Sequence, residues 1–194
     1  MGKRVLFLAS RESSYSRVAH FADTLNGEYE LDTCVSDEKY YSKRILNLMM
    51  KFFFLLSKQH YETVVIGFCA QILVFPVFLL FRGNLVIDGF VSLYDTLVLD
   101  RKRFKQEGYI AVLILWLERS ILSFGDVITV DTEEHMQFYN QVLKVPINRI
   151  RVVRVSAQES EYSLVEQGAL RRFQDHLFSC RITNFVRIVS MYKE

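Results

Sequence analysis

Four charged residues crowd one stretch of the chain: Asp88, Asp95, Asp100 and Arg101. A carboxylate within hydrogen-bond reach of a substrate hydroxyl can orient it or take its proton. A guanidinium can hold a phosphate through paired hydrogen bonds. Asp95 stands out because "SLYDT" sets it between apolar residues, where a carboxylate needs a partner. Ser92 opens that stretch with a hydroxyl. A solvated loop or internal ion pairs would explain the same charges. A second group, Ser13, Ser14 and Tyr15 in "SRESSYSR", precedes a helical pattern. A helix N-terminus there could hold an anionic group such as phosphate, or Ser13 or Ser14 could simply cap the helix. In "VITVDTEEHMQFY" (127–139), His135 follows two glutamates. A zinc-type site would want a second ligand four residues on, where Tyr139 stands. The spacing favours a strand running into a helix, with Asp131 as N-cap, Glu134 closing a capping box and Thr132 as the alternative cap. No metal site is expected.

The elements that must position these residues alternate along the chain. β-branched and apolar runs predict strands at Arg4–Ala9, Tyr29–Val35, Thr63–Gly67, Leu85–Ile87, Val127–Val130 and Ile150–Val155. Helical spacing predicts helices at Ser14–Leu25 (with Val18, Phe21, Ala22 and Leu25 on one face), Ser42–Lys58, 69–81, Tyr109–Ser123 and Thr132–Lys144. Strands separated by helix-length connections imply a parallel sheet covered on both faces, a doubly wound, Rossmann-like α/β domain. Ligands of such sheets sit beyond the carboxyl ends of the strands. The candidate site is therefore Ser10–Tyr15, Phe68–Ala70 and the connection Asp88–Phe104.

Composition narrows the classes. Of 194 residues, half are hydrophobic, sixteen are Phe, ten are Tyr and two are Pro, which excludes disordered and collagen-like chains. A net charge of +2 does not argue for nucleic acid, and none is expected as a partner. Cys34, Cys69 and Cys180 form no CxxC pair and fit a reducing cytoplasm. The apolar run in "MGKRVLFLAS" is too short for a secretion signal and reads as a first strand. Thr63–Phe81 holds nineteen residues without a charge, enough to span a bilayer. Gly67, Gln71, Pro76 and the β-branched start favour a strand followed by a helix, with a span as the alternative. The first loop lacks GxGxxG, and no P-loop, GxSxG or HExxH occurs, so no cofactor is expected. "SKRILNLMMKFFFLLSK" (42–58) sets Lys43, Arg44, Lys51 and Lys58 around an apolar run. It suits either a sheet-covering core helix or one lying on an anionic membrane surface.

Two stretches, "IDGFVSLYDTLVLDRKRF" (87–104) and "LERSILSFGDVITVDTEEHMQFYNQVLKVPINRIRVVRVSA" (117–157), resemble the N-terminal domain of family-4 retaining glycosyltransferases with the GT-B fold. Glu118 precedes a helix end, "GDVI" opens a strand, an acidic helix start follows, and "VPINRIRVV" closes the pattern. Arg154, Ser156 and Gln158 stand where the family usually has Pro-x-Gly-x-Asp. The resemblance implies that residues 1–157 form the acceptor-binding half of a GT-B enzyme, with 158–194 a tail unlike the opening of a donor domain. It implies transfer of sugar from a nucleotide-sugar to a glycan or lipid-linked acceptor, as in polysaccharide biosynthesis. Without a donor domain, the chain is expected to be inactive alone and to meet the donor only when that domain is supplied. In this setting Asp95 is the candidate catalytic base, and Ser13, Ser14, Tyr15, Asp88, Ser92, Asp100 and Arg101 the candidate acceptor-binding residues. Alternatives are one subunit of a split transferase with a separate partner subunit, or a non-enzymatic Rossmann-like binding module. The expected location is the cytoplasm or the inner face of the membrane.

Overall fold

The computed structural model describes residues 4–10, 18, 19, 22, 25, 26, 29–67 and 70–153. Six strands form one sheet: β1 (Arg4–Ala9), β2 (Glu30–Val35), β3 (Thr63–Ile66), β4 (Asn84–Asp88), β5 (Val127–Val130) and β6 (Ile150–Val152). Their order is β2-β1-β3-β4-β5-β6, and every neighbouring pair is parallel. Among the described residues, four helices with defined bounds join them: α1 (Tyr41–Lys58), α2 (Val74–Leu80), α3 (Tyr109–Ser123) and α4 (Glu133–Gln141). The architecture is the doubly wound, Rossmann-like α/β sheet that the alternation of elements predicts.

The order of the strands decides which face each helix covers. From β2 onward the chain moves steadily across the sheet in one direction. Right-handed crossovers then place α1, α2, α3 and α4 side by side on one face. The connection from β1 to β2 moves the other way, so its helical residues Val18, Ala22 and Leu25 pack on the opposite face. Alternation along each strand serves both layers. Leu6, Leu8, Val64, Ile66, Ile87 and Ile128 face the four helices, with Leu48, Phe52, Val74, Val77 and Leu122 set against them. Val5, Phe7, Ala9, Val65, Val86 and Val127 face the other way. β3 and β5 are buried at every position, as strands covered on both sides should be.

Several boundaries differ from the sequence expectation for physical reasons. The helix expected over 69–81 is a 3₁₀ turn at Gln71–Leu73 followed by α2. Pro76 fits in the first turn of α2, where its missing N–H costs nothing. No helix among the described residues is long and apolar enough to cross a membrane, and residues 63–66 are strand. Thr132, not Asp131, caps α4, its Oγ1 accepting from the His135 N–H at 3.1 Å. This moves the box position from Glu134 to His135. Ser13, Ser14, Tyr15, Phe21, Phe68, Cys69 and all residues from 154 onward, including the proposed tail, lie outside the described residues.

Candidate functional site

The sheet changes direction between β1 and β3, whose chains leave for β2 on one side and β4 on the other. In open parallel sheets the crevice beyond the carboxyl ends at such a point is where ligands bind. The strand order is that of the flavodoxin-type sheet extended by one strand. Ser10 follows β1, buried, and its carbonyl accepts from Arg44 Nη1 at 3.0 Å. Arg44 also donates to the Glu38 carbonyl, so α1 begins against this edge.

The carboxyl end of β4 is the most elaborated part of the edge. Asp88 is 2% exposed. Thr129 Oγ1 on β5 donates to its carboxylate at 3.4 Å, a long contact, and Gln71 Nε2 donates to its carbonyl at 3.1 Å. Gly89 follows under the ring of Tyr139. A Cβ at Gly89 would stand 2.9 Å from that ring, and the Tyr139 hydroxyl donates to the Gly89 carbonyl at 2.7 Å. Only glycine lets the backbone pass this close.

Beyond Gly89 the chain turns under the control of one buried carboxylate. Glu118, from the middle of α3, accepts from Ser92 Oγ at 3.0 Å, from the Leu93 N–H at 2.9 Å and from the Tyr94 N–H at 2.8 Å. Ser92 Oγ in turn accepts from the Asp95 N–H at 3.1 Å. The free N–H groups at the start of a helical segment are thus met by side chains, one of them a carboxylate borrowed from another helix. Burial pushes the Glu118 carboxyl above its usual range, against the pull of its three hydrogen-bond donors and with a further push from Asp95. Asp95–Asp100 then winds as a π-helix, the Arg101 N–H reaching the Thr96 carbonyl at 3.0 Å. Such wide turns gather at functional sites. Lys102 closes the turn in the left-handed region at φ 47°, a conformation that costs a non-glycine residue energy. Tyr94, Val98 and Ala111 form a small core beneath, joined by Leu99, Phe104 and Ile114. The connection that could have been a solvated loop is a packed helical excursion.

Asp88, Asp95, Glu118 and Asp131 all act on the Tyr139 hydroxyl. Burial, then these four carboxylates in the order Glu118, Asp88, Asp131, Asp95, hold it well above its ordinary value, so it stays a neutral donor. Asp131, just past β5, lies with Oδ1 2.6 Å from His135 Nδ1. The two atoms are close, but neither completes a well-directed hydrogen bond. Among the described residues no group of three or more His, Cys, Asp or Glu could hold a metal ion.

Of the residues singled out by sequence, Ser92 and Asp95 share a hydrogen bond and Asp88 lies at the root of the same connection. Asp95 is half-buried, whereas Asp100 and Arg101 are exposed at the far end of the π-helix. The sequence did not point to Gln71, Thr129, Tyr139 or the Asp131–His135 pair as parts of one edge. A metal reading asks for a second ligand four residues after His135, where Tyr139 stands; Asp131, four residues before the histidine, is in contact with it without making a metal site.

No family model matches the chain, and no curated protein sequence matches it. Among solved structures the chain is similar to Phytolacca americana UGT2, solved with UDP-2fluoro-glucose and pterostilbene, at 10% identity and a TM-score of 0.47. The alignment covers 80% of this chain and 53% of that one, so the chain spans about half its length.

Proposed function

We propose that the chain is the acceptor-binding N-terminal domain of a GT-B glycosyltransferase, with the edge beyond β4 receiving a glycan or lipid-linked acceptor. One observation carries the reading. The two stretches that resemble family-4 enzymes, 87–104 and 117–157, meet at Glu118, whose carboxylate orders the turn from Ser92 to Asp95. A residue that the resemblance marks by type thereby has a physical task at the expected site. In this reading Asp95 orients or deprotonates the acceptor hydroxyl. Asp88 and Ser92 set the wall of the site, and Asp100 and Arg101 approach the acceptor from the rim. Ser13, Ser14 and Tyr15, which follow β1 in sequence, complete the set of acceptor-binding candidates. The nucleotide-sugar donor belongs to a second domain or a partner subunit, since transition-state contacts are shared between the halves of such an enzyme.

The chain alone should transfer no sugar and bind UDP-sugars poorly, while acceptor glycans or polyprenyl-phosphate sugars should shift the amide resonances of Gly89–Asp100. Turnover by the chain alone, micromolar donor affinity, or acceptor-induced shifts confined to other strands would refute the proposal. With a compatible donor domain, Asp95→Asn should reduce turnover about a hundredfold at unchanged melting temperature. Unchanged turnover would remove Asp95 from the chemistry.

A second reading has one observation in its favour. The first five strands follow the order of flavodoxin-type binding modules. A phosphoacceptor module would carry an aspartate at the end of β1, where this chain has Ala9 and Ser10.

A further inference from the structure

The helix layer carries a second apolar surface on the side turned away from the sheet. On α1, Leu48 and Phe52 are fully buried, yet Leu46, Met50, Phe53 and Phe54 are exposed on the other side. Their spacing, i, i+4, i+7 and i+8, is that of one continuous helical stripe. α3 repeats the arrangement: Ala111, Glu118 and Leu122 point inward, while Tyr109, Val112, Leu113 and Trp116 form an outward stripe, with Trp116 61% exposed. Between them α2 exposes Phe75 and Leu79. The Phe78 ring lies 4.5 Å from the Phe124 ring at the end of α3, which joins α2 to α3. Because the crossovers set the three helices side by side, their outer stripes form one surface. Helices that are apolar all round belong in a larger core or in contact with lipid.

Charge selects the occupant. Across α1, α2 and α3 the one acidic residue is Glu118, which is buried and occupied by Ser92, Leu93 and Tyr94. Cations border the apolar surface instead. Lys58 Nζ lies 4.1 Å from the Phe54 ring, Lys43 Nζ lies 5.6 Å from the Tyr40 ring, and Arg82 is exposed just past α2. A second copy of the chain, related by a two-fold axis, would set these cations against one another with no exposed carboxylate from the three helices to pair with them. An anionic lipid surface offers both hydrocarbon and negative charge.

We propose that the outer face of α1, α2 and α3 docks the protein peripherally on an anionic bilayer. The aromatic and aliphatic stripes enter the headgroup–acyl boundary, and Lys43, Lys58 and Arg82 meet the lipid phosphates. Arg44 and Lys51 do not take part: they hold the Ser10 and Val35 carbonyls. This surface is distinct from the strand edge, so the inference stands or falls separately from the transferase reading.

Trp116 is the single tryptophan of the chain, so emission excited at the red edge, where the ten tyrosines do not absorb, reports this face alone. The full chain is titrated with phosphatidylglycerol–phosphatidylcholine vesicles and, separately, with phosphatidylcholine vesicles. The expected result is a blue-shifted emission, quenched by brominated acyl chains, with the anionic vesicles only and weakened by salt. Lys43→Gln and Lys58→Gln should each weaken partitioning about fivefold without changing the circular dichroism spectrum. Emission that ignores anionic vesicles, or responds equally to neutral ones, overturns the proposal. So does a blue shift that appears with rising protein concentration in the absence of lipid, together with a doubled mass in sedimentation, since that outcome assigns the face to a second copy.

Discussion

Glu118→Gln keeps the shape of the side chain, removes its charge and converts one acceptor oxygen into a donor. Oε2 serves both Ser92 Oγ and the Tyr94 N–H, while Oε1 serves the Leu93 N–H alone. The amide therefore settles with its oxygen toward Ser92 and Tyr94, and its NH₂ faces the Leu93 N–H. One charge-assisted bond is lost and one donor is left unmet, a cost of about 1–3 kcal/mol. Against this runs the relief of no longer burying a charge. Burial is the largest influence on the Glu118 carboxyl, and the net direction of its pKa is upward. A carboxyl whose folded pKa exceeds its unfolded value takes up protons more readily when folded. Its contribution to stability is then fully present below the unfolded pKa and is lost as pH rises through the folded one. Glutamine does not titrate. The stability of the native chain minus that of the variant should thus be greatest in acid and fall as pH rises from the ordinary glutamate range through the raised value, levelling off above it. Each unit of elevation is worth about 1.4 kcal/mol. Urea midpoints of both proteins at a series of pH values measure the difference directly. A native advantage that grows with pH would refute the reasoning, because it would mean that three hydrogen bonds outweigh burial.

Gly89→Ala places a methyl group 2.9 Å from the ring of Tyr139, which is fully buried and cannot swing aside. The expected cost is about 1–3 kcal/mol, seen as a lower urea midpoint at unchanged slope, and an unchanged midpoint would contradict the packing. Tyr139→Phe leaves the Gly89 carbonyl without its donor, and calorimetry should show a loss of about 1 kcal/mol of stability; a neutral effect would remove the bond from the account. Burial pushes the Cys34 thiol up to about 11, so at neutral pH it is protonated and a poor nucleophile. Peptide mapping after iodoacetamide treatment should find it unmodified until urea unfolds the chain, and rapid alkylation of the native protein would refute this.

The sheet was legible because its strands are short, β-branched and buried on both sides. Val64, Val65 and Ile66 could hardly be anything else once Gly67 and Pro76 interrupt the run. α3 was legible over its whole length, although the pattern did not show that its outer side is as apolar as its inner one. What sequence reading could not supply was action at a distance. The fold of Asp95–Asp100 depends on a carboxylate more than twenty residues further along the chain, and no local pattern reports it. The capping of α4 turned on a choice between adjacent residues with similar propensities, and Thr132 took the position. Asp88 and Asp95 were singled out by type and place, whereas Tyr139, on which both bear electrostatically, looked like any apolar residue at helical spacing.

Glu118 also divides the long β4–α3 connection mechanically. By holding Ser92, Leu93 and Tyr94 to the middle of α3, it closes a non-covalent ring whose two anchors are fixed before the exposed stretch around Arg101–Glu107 begins and after it ends. Lengthening a flexible segment between fixed ends costs only about 0.6 kcal/mol per doubling. Phe104 packs on the small core and the Arg103 N–H reaches the Leu97 carbonyl, so the exchangeable cassette is 105–107: it can be lengthened or exchanged with little strain reaching Ser92 and Asp95. A lineage or an engineer could re-tailor the rim of the crevice there while the anchored turn keeps its geometry.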